Sequence, residues 1–178
     1  STCSAAIDKE IQIEHKTTES DVILSGKPVQ DEFASNSICF GCGPSNKEGL
    51  QLKSYRSKGG LVAEFQCEEK HQAFPGVING GIIGSLIDCH GNWTAAIAIM
   101  DKNGNDEPQC TVTARYEVKF KKPTPFGSKL KLKSRVLGVQ EDRAEVIVEL
   151  KADGETCATG RGLFVAVKEG HPAYHRWH

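Results

Sequence analysis

One segment limits the folds open to this chain: the apolar run over residues 80–100, GGIIGSLIDCHGNWTAAIAIM. Ile82, Ile83, Leu86, Ile87, Trp93, Ala96, Ile97 and Met100 return at steps of three and four, which predicts one long helix. A helix this apolar must be covered over most of its surface. A second stripe, Gly81, Gly84 or Ser85, Asp88, Gly91 or Asn92, and Ala95, carries small side chains and one carboxylate. Small residues cost helix propensity, so the stripe implies close approach by a strand, a partner helix or a ligand. Asn79, Asp88, His90 and Asn92 interrupt the wider apolar stretch over residues 76–100 and argue against a membrane span.

The rest of the chain reads mainly as strands. Residues 50–56 and 61–67, joined by Ser57-Lys58-Gly59-Gly60, predict a hairpin. Residues 68–79 read as a loop closed by Phe74-Pro75-Gly76. After the helix, residues 110–120 alternate, with Val112, Ala114, Tyr116, Val118 and Phe120 expected on one face. Two further runs carry Leu130, Leu132 and Val136, then Ala144, Val146, Val148 and Leu150. A last run over residues 156–167 contains Gly160 and Gly162, which leave room for close approach. This order predicts an α+β domain in which an antiparallel sheet wraps one long central helix. A helix covered on one side only keeps a bare face, so self-association is expected.

A length of 178 residues fits one domain, placed at 37–168. Residues 1–36 are polar and read as a weakly ordered arm with one short helix. Residues 169–178, with His171, His175, Trp177 and His178, read as a solvated tail. The formal net charge of −1 supplies no broad positive field, so no nucleic-acid partner and no membrane surface is expected. Seven cysteines cannot all pair within one chain, and Cys67, Cys89, Cys110 and Cys157 sit in apolar or strand-like surroundings. That usage fits a reducing compartment, and residues 1–9 lack a basic stretch followed by an apolar run, so a cytoplasmic protein is expected. Cys39-Phe40-Gly41-Cys42 is half of a zinc ribbon, and no second C-x-x-C follows.

Asp88 lies mid-helix between Ile87 and Cys89, where a carboxylate needs a partner. It either holds a loop or a partner subunit, or stands at the floor of a groove as a general base or nucleophile. Asn79 is a good N-cap, and Gly80 and Gly81 then present backbone N–H groups at the positive end of the helix dipole. Such donors either serve the cap alone or polarise a carbonyl oxygen. Asp88 is nine residues beyond Asn79, roughly 13 Å of helix rise, too far to meet a carbonyl held at its own N-terminus. The same carboxylate from an antiparallel two-fold partner meets that requirement.

Several motifs together carry a resemblance. Cys39-Phe40-Gly41-Cys42-Gly43, Asn46 with Gly49-Leu50, Phe74-Pro75-Gly76-x-x-Asn79-Gly80-Gly81, Asp88, and Phe120-x-x-Pro123 with Gly127 occur in this order. Over residues 39–167 the chain resembles the hotdog-fold acyl-CoA thioesterases of the PaaI-like, phenylacetate-degradation type. The resemblance implies a thioester hydrolase acting as a homodimer or dimer of dimers, without a cofactor. It implies that the Gly80 N–H polarises the thioester carbonyl while Asp88 activates water or attacks directly. Thr113, with Thr111 as second candidate, is the hydroxyl expected to position the water or the acid. Coenzyme A is expected near the strand after the helix, where Lys119, Lys121 and Lys122 meet its phosphates. Gln72 stands one position from an Asn that some relatives carry and is expected to take its place in substrate binding. The C-x-x-C becomes a tight Gly-rich turn, with no metal site assigned. One departure matters: the family usually has His where this chain has Asn79, which caps a helix but cannot titrate near neutral pH. A protein that binds acyl thioesters without turning them over is therefore the rival, and a hydratase is disfavoured for want of that His.

Overall fold

The structure is a computed structural model and describes residues 24–178. Its elements are α1 (Val29–Phe33), β1 (Ser54–Ser57), β2 (Gly60–Phe65), β3 (Gln72–Phe74), β4 (Val77–Ile78) and α2 (Gly80–Asn103), followed by four long strands. These are β5 (Thr111–Phe120), β6 (Leu130–Val139), β7 (Arg143–Ala152) and β8 (Glu155–Ala166). A 6-stranded antiparallel sheet in the order β1-β2-β6-β7-β8-β5 packs around α2, as the alternation of residues predicts.

The register explains the packing. Leu132 faces Leu150, Val148 faces Gly160 and Val146 faces Gly162, which sets one apolar row after another against the helix. Ile83, Leu86, Ile87, Trp93, Ala96 and Ile97 of α2 are buried beneath these rows. Each buried Leu or Ile contributes about 1.5–3 kcal/mol. Gly160 is the point of closest approach: a Cβ there would collide with Ile87 Cγ2. The room anticipated at Gly160 and Gly162 is thus filled from within the same chain, by Ile87 and by the ring of Phe164.

A buried polar chain ties the first helix to the core. Gln30 Nε2 donates to Ser54 Oγ at 3.0 Å, and Ser54 Oγ lies 2.8 Å from His90 Nδ1. His90 Nε2 is 3.1 Å from the Leu61 carbonyl, an acceptor only, so Nε2 carries the proton and Nδ1 receives the Ser54 hydroxyl. Burial pulls the His90 pKa down to about 4, with the Leu61 bond opposing, so the ring stays neutral near neutral pH.

Four expectations need correction or completion. Residues 68–79 are not a plain loop: a 3-10 turn at Glu69–His71 leads into the β3–β4 hairpin. That hairpin is held by the segment after β5, through Ile78 N–H to Thr124 O at 2.9 Å and Phe126 N–H to Gly76 O at 2.9 Å. β5 does not alternate uniformly, because its pairing with β8 shifts between Thr113 and Arg115. The bulge flips the phase, so Thr111 and Thr113 face α2 before it, and Tyr116 and Phe120 after it. The tail is not a solvated end either: Trp177 is buried and stacks on Trp93 with centroids 4.2 Å apart. Of the expected arm, residues 1–23 lie outside the described residues, while α1 is the expected short helix and buries Val29 and Gln30. No helix among the described residues is long and apolar enough to cross a membrane.

Candidate active site

The start of α2 is fixed from two sides. Asn79 N–H donates to His71 O at 2.9 Å, and Asn79 Oδ1 accepts from Gly81 N at 2.8 Å and Ile82 N at 3.2 Å. The Asn is therefore an N-cap, as its residue type predicts. One consequence was not legible in the sequence. The Gly81 N–H is consumed by the cap, whereas the Gly80 N–H has no acceptor among the described residues. Of the two candidate donors, only Gly80 stays open towards a ligand.

Beside Gly80 lies an apolar groove of about 470 Å³, lined by Phe74, Val77, Ile83, Phe120, Lys121 and Lys122 among others. Its walls come from the β3–β4 hairpin and the end of β5, which the Thr124–Ile78 bond holds together. Phe74 and Phe120 on this rim are 60% and 57% exposed, which is unusual for such large apolar side chains. Lys121 and Lys122 reach the groove, and Lys122 Nζ also pairs with Glu155 at 2.8 Å. Lys119 does not line it. Gln72 braces the hairpin: Nε2 donates to Glu69 O at 2.9 Å and Oε1 accepts from Gly76 N at 2.7 Å.

Asp88 sits in a half-buried slot between β5 and the loop carrying Cys39. Thr113 Oγ1 donates to Asp88 Oδ1 at 2.7 Å. Burial raises the Asp88 pKa, the Thr113 hydrogen bond lowers it, and the nearby charges of Cys39 and Arg176 raise and lower it respectively. Thr111, the second candidate, instead bonds Asn92 Oδ1 one turn further along the helix. Arg176 of the tail donates to Thr111 O. The half-exposed line Gly81, Ser85, Asp88 and Asn92 is thus framed by β5, whereas Gly91 and Ala95 of the small-residue stripe are buried, Gly91 against Phe164. The carboxylate and the open N–H occupy one helix of one protomer, eight residues apart, about 12 Å of rise.

Sequence reasoning missed one grouping. Cys89, taken as a core residue, lies with Cys39 and Cys42, and the three Sγ atoms are all within 4.8 Å of one another. No local signal joins residues 50 positions apart. Hydrogen bonds from Cys42 and Cys89 hold the Cys39 thiol well below its usual range, and the same contacts push Cys42 and Cys89 up.

A curled antiparallel sheet around one long helix, with a Gly-rich helix start and a mid-helix acid, defines a hotdog-fold protein. The sequence model of the Thioesterase-like superfamily matches residues 75–172, more than half of the chain. A thioesterase superfamily protein from Shewanella loihica superposes with a TM-score of 0.57 at 30% identity, covering 70% of this chain and 98% of that one. A Bacillus halodurans protein solved with CoA gives a TM-score of 0.55 at 21% identity over 67% of this chain and 76% of that one. A phenylacetic acid degradation-related protein from Ralstonia eutropha gives 0.54 at 18% identity, over 66% and 86%. A search of curated proteins returned no match. The chain belongs to the Thioesterase-like superfamily.

Proposed function

We propose that this chain is an acyl-CoA thioesterase of the PaaI-like type that acts as a dimer. The carrying observation is the division of labour at α2: an open Gly80 N–H beside an apolar groove, and a hydrogen-bonded Asp88 too far along the same helix to share its substrate. Two antiparallel copies of α2 bring the Gly80 of one protomer opposite the partner subunit's Asp88. β5 is an edge strand with exposed Tyr116 and Phe120, which offers a surface for such pairing.

In this reading the acyl group and its pantetheine arm lie along the groove, with Lys121 and Lys122 at the phosphate end. Gly80 N–H stabilises negative charge as it develops on the thioester oxygen. Asp88, held by Thr113, accepts a proton from water as the water oxygen bonds to the carbonyl carbon. The C–S bond breaks, and the leaving thiolate takes up the proton to give free coenzyme A and the acid. The Bacillus halodurans relative solved with CoA supports the choice of ligand.

One observation favours a second reading, binding without turnover. Asn79 occupies the usual His position and its Oδ1 is committed to two backbone donors. A panel of short, long and aromatic acyl-CoAs, with CoA release followed by chromatography, separates the two. Hydrolysis that falls at least 100-fold in Asp88→Asn supports the hydrolase. Saturable binding with no release, the same in both proteins, establishes the binder.

A further inference from the structure

We infer that Cys39, Cys42 and Cys89 form a zinc site, with three thiolates as ligands and the fourth position open. The site joins the loop before β1 to the middle of α2, and is independent of the hydrolase reading.

The spacing of the three sulfurs fits a tetrahedral metal site. Tetrahedral zinc with Zn–S bonds of 2.3 Å sets its sulfurs ~3.8 Å apart. Cys39 Sγ and Cys89 Sγ are 3.8 Å apart, and Cys42 Sγ lies within 4.8 Å of both. A disulfide would require about 2.05 Å.

The loop is shaped to aim its sulfurs. Gly43 N–H donates to Cys39 O at 2.8 Å, closing the C-x-x-C-G turn that brings Cys39 and Cys42 to the same side of α2 as Cys89. Gly41 permits the approach: a Cβ there would overlap Cys89 Sγ.

Charge completes the argument. A divalent ion bound by three thiolates displaces their protons and offsets two of the three negative charges, leaving the group at −1. Sulfur-only donation favours zinc over magnesium or calcium, which take oxygen.

The test uses the full chain, reduced, stripped by a chelator and then titrated with Zn²⁺ against a chromophoric competitor, with Co²⁺ as a spectroscopic probe. Expected are one Zn²⁺ per chain and, with Co²⁺, thiolate-to-metal charge-transfer bands in the near ultraviolet with tetrahedral d–d bands. Cys39→Ser and Cys89→Ser each weaken Zn²⁺ binding by at least 100-fold, while Cys67→Ser and Cys110→Ser leave it unchanged. Circular dichroism of the stripped variants checks that they fold as the stripped parent does. Substoichiometric binding by a protein whose thiols are demonstrably free would overturn the proposal. So would Zn²⁺ binding of equal strength in the Cys39→Ser/Cys89→Ser double variant, which would place the metal elsewhere, for instance on the tail histidines.

Discussion

Thr113 Oγ1 donates a 2.7 Å hydrogen bond to Asp88 Oδ1, linking the strand after the central helix to the only carboxylate of that helix's small-residue stripe. A bond from a hydroxyl to a carboxylate contributes about 1.5–3 kcal/mol when partly buried. Thr113→Val is therefore expected to lower kcat for thioester hydrolysis roughly 10- to 100-fold with little change in KM. Thr113→Ser, which keeps the hydroxyl, restores most of the rate. Steady-state kinetics of the two variants decide it. Equal losses in both would mean that packing, not the hydrogen bond, is what matters.

Asn79 at the start of the helix has a separable role. Asn79→Ala removes the acceptor for Gly81 and Ile82 N–H and is expected to cost about 1 kcal/mol of stability. Asn79→Asp, which keeps the cap and adds favourable charge at the helix N-terminus, retains or gains stability. Chemical denaturation measures both, and a stable Ala variant would show that the cap contributes nothing.

The contact of Gly160 with Ile87 predicts sensitivity to a single methyl group. Gly160→Ala forces the strand and helix apart, at about 1–3 kcal/mol. Ile87→Ala in the same chain offsets part of that loss, because it removes the Cγ2 methyl that the new Cβ would meet. Thermal melts of the single and double variants test the coupling. Additive losses would argue against direct contact.

Trp177 anchors the last residues on Trp93, with ring planes 16° from parallel. Trp177→Ala is expected to destabilise the protein by about 3 kcal/mol and to expose residues 169–178 to proteolysis. Limited digestion with mass analysis reads the outcome; a variant as resistant as the parent would refute the anchoring role.

His90 links stability to pH. Its pKa is about 4 in the folded chain against an ordinary value of 6.5, so between these values the unfolded chain binds the extra proton. Its contribution is complete above pH 6.5 and is lost as pH falls towards 4, roughly 3 kcal/mol over that window. Denaturant midpoints measured from pH 7 to 4, with a chelator present so that metal release does not contribute, should fall less steeply in His90→Gln. Parallel curves would sink the assignment.

By itself the sequence determined the architecture. Three- and four-residue periodicity marked α2, alternation marked β6 and β7, and Asn79 declared its cap, since each signal is local and survives without neighbours. Only the tertiary structure decided what these elements meet. The bulge in β5 reversed which side chains face the helix, placing Thr113 on Asp88, and no property of residues 110–120 alone announces that shift. The cap spent Gly81 and left Gly80 open, a matter of one amide's hydrogen bonds. Trp177 found Trp93, and Cys89 found Cys39 and Cys42, across separations that chain-local patterns do not span. Periodicity says which face of an element is apolar, whereas the identity of the atoms that meet across space follows from the packing of the whole chain.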